Sequence, residues 1–123
     1  MQTIELEEIY DFSSDVINLQ SMEGFAFLQT VVVGDGVNVD FDCMGRPVAV
    51  ELINPSKMLN LKRNVLDESR LVVSLDVSDS ISVRVDVVTK INLSNPRFIE
   101  SEVSNDFGIP SGEFAFEIIK REI

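Results

Sequence analysis

The chain has 123 residues and a formal net charge of −11, with one cysteine, no histidine and no tryptophan. This length suits a single domain with its own hydrophobic core. The lack of histidine excludes catalytic triads of the Ser-His-Asp or Cys-His kind, and a lone cysteine excludes an internal disulfide or a zinc–thiolate cluster. Because a strongly acidic chain is repelled by phosphates, we expect no nucleic-acid partner.

The composition favours β-structure. The chain contains 17 valines and 11 isoleucines but only three alanines, so residues that prefer strands outnumber the best helix former. The predicted fold class is mostly β: antiparallel meander sheet or sheets with two short helices.

Alternation of apolar and polar residues predicts the strands of the first half. In the first strand, Ile4 and Leu6 share one face, and Glu5 and Glu7 share the other. The same pattern predicts further strands at Val16–Gln20, Phe25–Val33, Val37–Asp42 and Val48–Ile53. Asn54-Pro55 is typical of a helix start, with asparagine as the cap and proline in the first helical position.

The second half begins after a polar connection, Lys62–Ser69. Two strands with apolar alternation follow, at Leu71–Val77 and Ile81–Val88, and a last one is marked by Phe114, Phe116 and Ile118. Asn95-Pro96 repeats the earlier signal and predicts the second short helix, through Phe98 and Ile99. We expect the core to come from the inward positions Ile4, Leu6, Ile17, Leu19, Val37, Val39, Phe41, Val48, Val50, Leu52, Leu71, Val73, Val83, Val85, Phe114 and Phe116.

Two blocks of the first half match a known family pattern. The residues that carry the match are Tyr10-Asp11, Asp15, Ile17, Leu19, the run from Asp35 to Asp42, Gly45-Arg46, Val48, Val50-Glu51-Leu52 and Ser56-Lys57. Over about residues 3–61 the chain resembles the small prokaryotic proteins of domain of unknown function 2283. The resemblance implies a strand meander closed by a short helix, and almost no biochemistry. Some members are encoded beside small predicted toxins, which implies an antitoxin-like role.

Two segments are therefore expected. Residues 1–62 form the family-like meander module with its short C-terminal helix, and residues 63–123 form a β-rich extension packed on the same core.

Charge is distributed unevenly along the chain. Nine acidic residues and no basic ones precede Arg46, whereas the remainder is nearly balanced. One interpretation is a solvated sheet face that prevents edge aggregation. The functional hypothesis is a non-enzymatic interaction module that attracts a basic protein partner. Its predicted binding surface consists of Glu5, Glu7, Asp11, Asp15, Asp40 and Asp42.

The alternative function is divalent-metal binding, or a metal-dependent enzyme, through clustered carboxylates. The candidate ligands are Asp35, Asp40, Asp42 and Glu51. Asp and Asn recur along this run as in a calcium loop, but the twelfth position counted from Asp35 is Arg46 instead of a bidentate glutamate. We expect no cofactor and assign no catalytic residue.

Val72 and Val88 interrupt the alternation of their strands and place apolar groups on an otherwise polar face. A strand that is apolar on both faces must be covered on both. The predicted helix at Asn95-Pro96 or a second copy of the chain provides that cover, and we predict a homodimer through the second half. The sequence shows neither a secretory signal pattern nor an apolar run long enough to span a bilayer, so we expect a cytoplasmic protein with no membrane partner.

Overall fold

A computed structural model describes residues 1–24 and 26–121 and confirms the mostly β class. The elements within these residues are β1 (Gln2–Asp11), β2 (Val16–Gln20), β3 (Phe27–Gly34), β4 (Val37–Asp42), β5 (Pro47–Ile53), α1 (Pro55–Leu59), α2 (Arg63–Asp67), β6 (Arg70–Val77), β7 (Ser80–Val88), β8 (Arg97–Ser104) and β9 (Gly112–Lys120). Phe25, the predicted start of the third strand, lies outside the described residues, as do Glu122 and Ile123 at the end of the predicted extension.

The described strands form one sheet in the order β3-β4-β5-β2-β1-β9-β6-β7-β8. Neighbours are antiparallel except β1 and β9, which pair in parallel through contacts such as Ile4 opposite Phe116. The sheet curls until its two edge strands meet: a Cβ added at Gly34 on β3 would lie 2.8 Å from Ser101 Oγ on β8. The expectation of a purely antiparallel meander was wrong in this respect, because the last strand returns to pair with the first.

The core lies inside this nearly closed sheet. All the predicted core positions are buried except Ile4, which is partly buried and packs against the core. Phe41, Leu6 and Leu52 have no exposed surface. Residues from both predicted segments join one apolar cluster, since β1 of the first pairs with β9 of the second.

The first predicted helix is confirmed and the second was wrong. Proline occupies the start of α1 after Asn54, as predicted. After Asn95-Pro96 the chain instead forms strand β8, whose alternating inward residues include the buried Ile99. The second helix lies within the polar connection, where Leu66 of α2 is buried against the core. Pairing with β7 favours the extended form of β8, because it satisfies a row of backbone groups that a short helix would leave open.

Candidate functional site

A polar groove of about 310 Å³ crosses the outer face of β4, β5 and β2. The strand register explains its position, because Ala49 on β5 lies between Asp40 on β4 and Gln20 on β2. The side chain of Ala49 is a single methyl group, so the surface is recessed between the longer side chains on either side. The outward side chains at the groove are Asn18, Gln20, Thr30, Asn38, Asp40, Ala49 and Glu51. Among the described residues that line it none is lysine or arginine, so its two carboxylates are uncompensated locally. We call this feature the acidic groove.

Cross-strand hydrogen bonds fix both carboxylates of the acidic groove. Thr30 Oγ1 donates to Asp40 Oδ1 over 2.5 Å, and Asn38 Nδ2 donates to Glu51 Oε1 over 3.1 Å. Each bond joins residues directly opposite each other on neighbouring strands. In the described part of the chain, no side chain donates to the second oxygen of either carboxylate. The groove therefore presents two oriented acceptors that a cationic group can reach.

Three further residues of the predicted binding surface lie outside the acidic groove. Glu7 projects beside it from β1, opposite Gln20, and forms an ion pair of 3.2 Å with Arg121. Glu5 is exposed on the same face of β1 and lies opposite Glu117 of β9. Asp11 is exposed at the end of β1, where its carboxylate accepts backbone hydrogen bonds from the following turn. Glu5 and Glu7 extend the acidic surface, whereas Asp11 organises a turn.

Asp15 belongs to the interior instead of the predicted surface. Its side chain is completely buried and accepts hydrogen bonds of 2.6 Å from both Tyr10 Oη and Ser56 Oγ. Burial alone would raise the pKa of this carboxyl, but the hydrogen bonds from Ser56 and Tyr10 outweigh it and hold the pKa below the ordinary value. The pKa of Tyr10 moves in the opposite direction: burial and the hydrogen bond to Asp15 both raise it. This network ties β1, the turn before β2 and the start of α1 together.

Asp42 is also buried and organises the hairpin between β4 and β5. One carboxylate oxygen accepts from the backbone nitrogens of Met44 and Arg46, each at 2.9 Å, and the other accepts from Arg46 Nε at 2.9 Å. Burial opposes ionisation, but these bonds prevail and lower the pKa of Asp42. Asp42 is therefore buried within its hairpin and does not lie on the exposed binding surface that the sequence predicts for it.

The four candidate metal ligands do not form a cluster. Asp35 is exposed in the turn between β3 and β4, and Asp42 is fully engaged by its hairpin. Only Asp40 and Glu51 line a common feature, the acidic groove. Over the described ranges, no group of three or more His, Cys, Asp or Glu side chains is placed to hold a metal ion.

The strand pattern left two kinds of site residue unrecognised. One kind is the side-chain amides of the acidic groove, which belong to Asn18, Gln20 and Asn38. All three residues point outward from correctly predicted strands. They come together only because β2 pairs with β5, and alternation does not predict which strands pair. Glu8 shares the inward face of β1 with Leu6 and Tyr10 and is only 4% exposed. Its place in the alternation was a usable signal, since a period of two puts it on the apolar face.

Glu8→Gln is expected to stabilise the protein at neutral pH by about 1 kcal/mol, because burying a neutral amide costs less than burying an ionised carboxylate whose nearest cation lies 3.9 Å away. Burial raises the pKa of Glu8 above its ordinary value, against the opposing effect of Lys120. Protonated Glu8 stabilises the fold relative to ionised Glu8. This stabilisation is complete below the ordinary carboxyl pKa and is lost as the pH rises through the raised pKa of the folded protein. Urea unfolding at pH 4 and pH 7 should show a gain at pH 7 that shrinks at pH 4. An equal gain from Glu5→Gln, an exposed change on the same strand, would contradict this.

Within the described residues, no helix is long and apolar enough to cross a membrane. Comparisons with protein-family models, curated proteins and solved structures found no match to this chain. The resemblance to domain of unknown function 2283 therefore stays a prediction.

Proposed function

We propose that this protein is a non-catalytic binding module whose acidic groove receives a cationic segment of a partner protein. The observation that carries the proposal is the state of Asp40 and Glu51. Each carboxylate is held by one cross-strand hydrogen bond and keeps its second oxygen free of side-chain donors in the described chain. Lysine or arginine side chains of a partner would supply the missing donors as charge-assisted hydrogen bonds.

The surrounding charge supports the same partner chemistry. Nine acidic residues and no basic ones precede Arg46, and the groove strands β2 and β4 come from this segment. A field of one sign accelerates encounter with an oppositely charged protein and falls with added salt. An antitoxin-like role, which the family resemblance implies, is one form of this binding function. We place the module in the cytoplasm, a reducing compartment, which fits the exposed free thiol of Cys43.

The test is affinity capture from a lysate of the native cell with matched charge variants. The groove variant carries Asp40→Asn with Glu51→Gln. The control carries Asp76→Asn with Glu113→Gln, a directly opposed pair of exposed acids on β6 and β9 with the same change in charge. We expect the wild type and the control to retain the same basic protein, and the groove variant to lose it. Equal retention by both variants would show that total charge, instead of the groove, determines binding.

We further propose that two copies of the chain associate through the outer face of β6, β7 and β8. Asp86 on β7 lies directly opposite both Val72 on β6 and Phe98 on β8, so the two apolar side chains share one face. The exposed fractions of Val72, Val88 and Phe98 are 54%, 45% and 46%. The segment expected to cover them as a helix is strand β8 itself. The acidic groove lies on the opposite side of the nearly closed sheet. Pairing the nearly neutral second halves therefore keeps the most acidic strands apart.

Val72→Lys is expected to convert this homodimer to a monomer of 13.7 kDa, because two buried ammonium groups would face each other across a twofold interface. Sedimentation at micromolar concentration distinguishes the two states. Val32→Lys, which changes another exposed valine (63%) on β3, should leave the dimer intact. A wild-type monomer in the same experiment would contradict the association.

A further inference from the structure

A cavity of about 690 Å³ opens at one end of the sheet. It lies between the ends of β1 and β9 and the segment that joins α2 to β6, and Lys90 after β7 contributes to its rim. This cavity is separate from the acidic groove, and charged side chains of both signs line it.

The buried carboxylate of Glu8 lines this cavity and accepts no side-chain hydrogen bond from the described residues. The residue is 4% exposed. The nearest cation is Lys120, whose Nζ lies 3.9 Å from Glu8 Oε2. That ammonium donates to the carbonyl oxygens of Asp67 and Ser69, and its contact with Glu8 is an ion pair longer than a hydrogen bond. Glu8 therefore retains the capacity to accept a hydrogen bond from a molecule in the cavity.

Cations lie at the rim of the same cavity. Arg70 and Lys90 are exposed there, and within the described ranges neither forms an ion pair. A purely cationic ligand would be repelled by these side chains, and a purely anionic one by Glu8 and Asp67. A molecule that carries both charges can pair its cation with the buried Glu8 and its anion with Arg70 and Lys90 at the rim.

We propose that this cavity binds a small zwitterion, with its ammonium donating to Glu8 and its carboxylate between Arg70 and Lys90. Within residues 1–24 and 26–121, the carboxylate of Glu8 has no side-chain hydrogen-bond donor and the two rim cations have no ion-pair partner, and a zwitterion supplies both. The site is independent of the acidic groove and of the partner proposed for it.

The test is a titration of the ¹⁵N-labelled protein, followed through its backbone amide shifts. The probes are glycine, 4-aminobutanoate and 6-aminohexanoate, which separate their charges by increasing lengths, with hexanoate and hexylamine as singly charged controls. We expect at least one zwitterion to give saturable shifts at Ser69, Arg70 and Lys90, with a Kd of about 1 mM or tighter. The singly charged controls should bind at least about tenfold more weakly. No saturable shift with any zwitterion, or an equal response to a singly charged control, would overturn the proposal.

Two variants extend this test. Glu8→Gln and Arg70→Gln should each weaken binding of the responsive zwitterion about tenfold, the loss of one charge-assisted hydrogen bond. Arg70 is exposed, so its variant keeps the experiment decisive if the buried change disturbs the fold. Lys57→Gln, a change of the same charge on α1 outside the cavity, should leave binding unaltered. Unchanged affinity in both Glu8→Gln and Arg70→Gln would overturn the assignment.

Discussion

Asp15→Ala is expected to lower the free energy of unfolding by about 4 kcal/mol, the combined effect of two lost charge-assisted hydrogen bonds and a strained alanine. The carboxylate is completely buried, so Tyr10 Oη and Ser56 Oγ would lose their acceptor inside the protein. Asp15 also has a φ of 56°, a left-handed conformation that aspartate and asparagine tolerate better than alanine does. Urea unfolding at pH 7 measures the change.

Two comparisons separate the hydrogen bonds from general effects. Asp15→Asn keeps the size and the left-handed preference, so its loss should be roughly half that of alanine. Asp11→Ala, an exposed change in the same turn, should cost much less. Since the pKa of Asp15 is lowered in the folded protein, its stabilisation is present above the ordinary carboxyl pKa and is lost as the pH falls through the lowered value. A difference between wild type and Asp15→Asn that persists undiminished at pH 2 would contradict the role of the ionised carboxylate.

Asp42→Ala is expected to destabilise the protein by about 2 kcal/mol, because one buried carboxylate organises the whole hairpin turn. The loss is smaller than at Asp15 since the donors on Met44 and Arg46 lie near solvent and can bind water instead. The change in urea midpoint at constant slope reports it. Asp40→Ala on the same strand provides the control, and a loss at Asp40 equal to that at Asp42 would contradict the structural assignment.

The local pattern of the chain was sufficient to predict the class and the core. Alternation identified inward positions such as Leu6, Phe41 and Val85 because one face of each strand must be dry. It misjudged the segment after Asn95-Pro96, where a local helix signal competed with a weak strand pattern. Pairing with β7 decided the outcome, and that contact is tertiary.

Long-range pairing explains what was missed at the candidate sites. The parallel contact of β1 with β9 joins the two ends of the chain, and no local pattern specifies it. The same limit applies to Asp15, whose partner Ser56 is 41 residues away, and to the convergence of Asn18 with Glu51. A carboxylate in a polar stretch looks identical in sequence whether it faces solvent or accepts buried hydrogen bonds.

The central claim, that the acidic groove is a site for cationic segments, is tested most directly by mapping amide shifts with a defined probe. The measurement is a titration of the ¹⁵N-labelled protein with an extended peptide of alternating lysine and valine. We predict saturable shifts that are concentrated at Asn18, Asn38 and Ala49. These shifts should be absent from the variant that carries Asp40→Asn with Glu51→Gln. Shifts spread evenly over all exposed acids, with Asp76 and Glu113 responding as strongly as the groove, would contradict it.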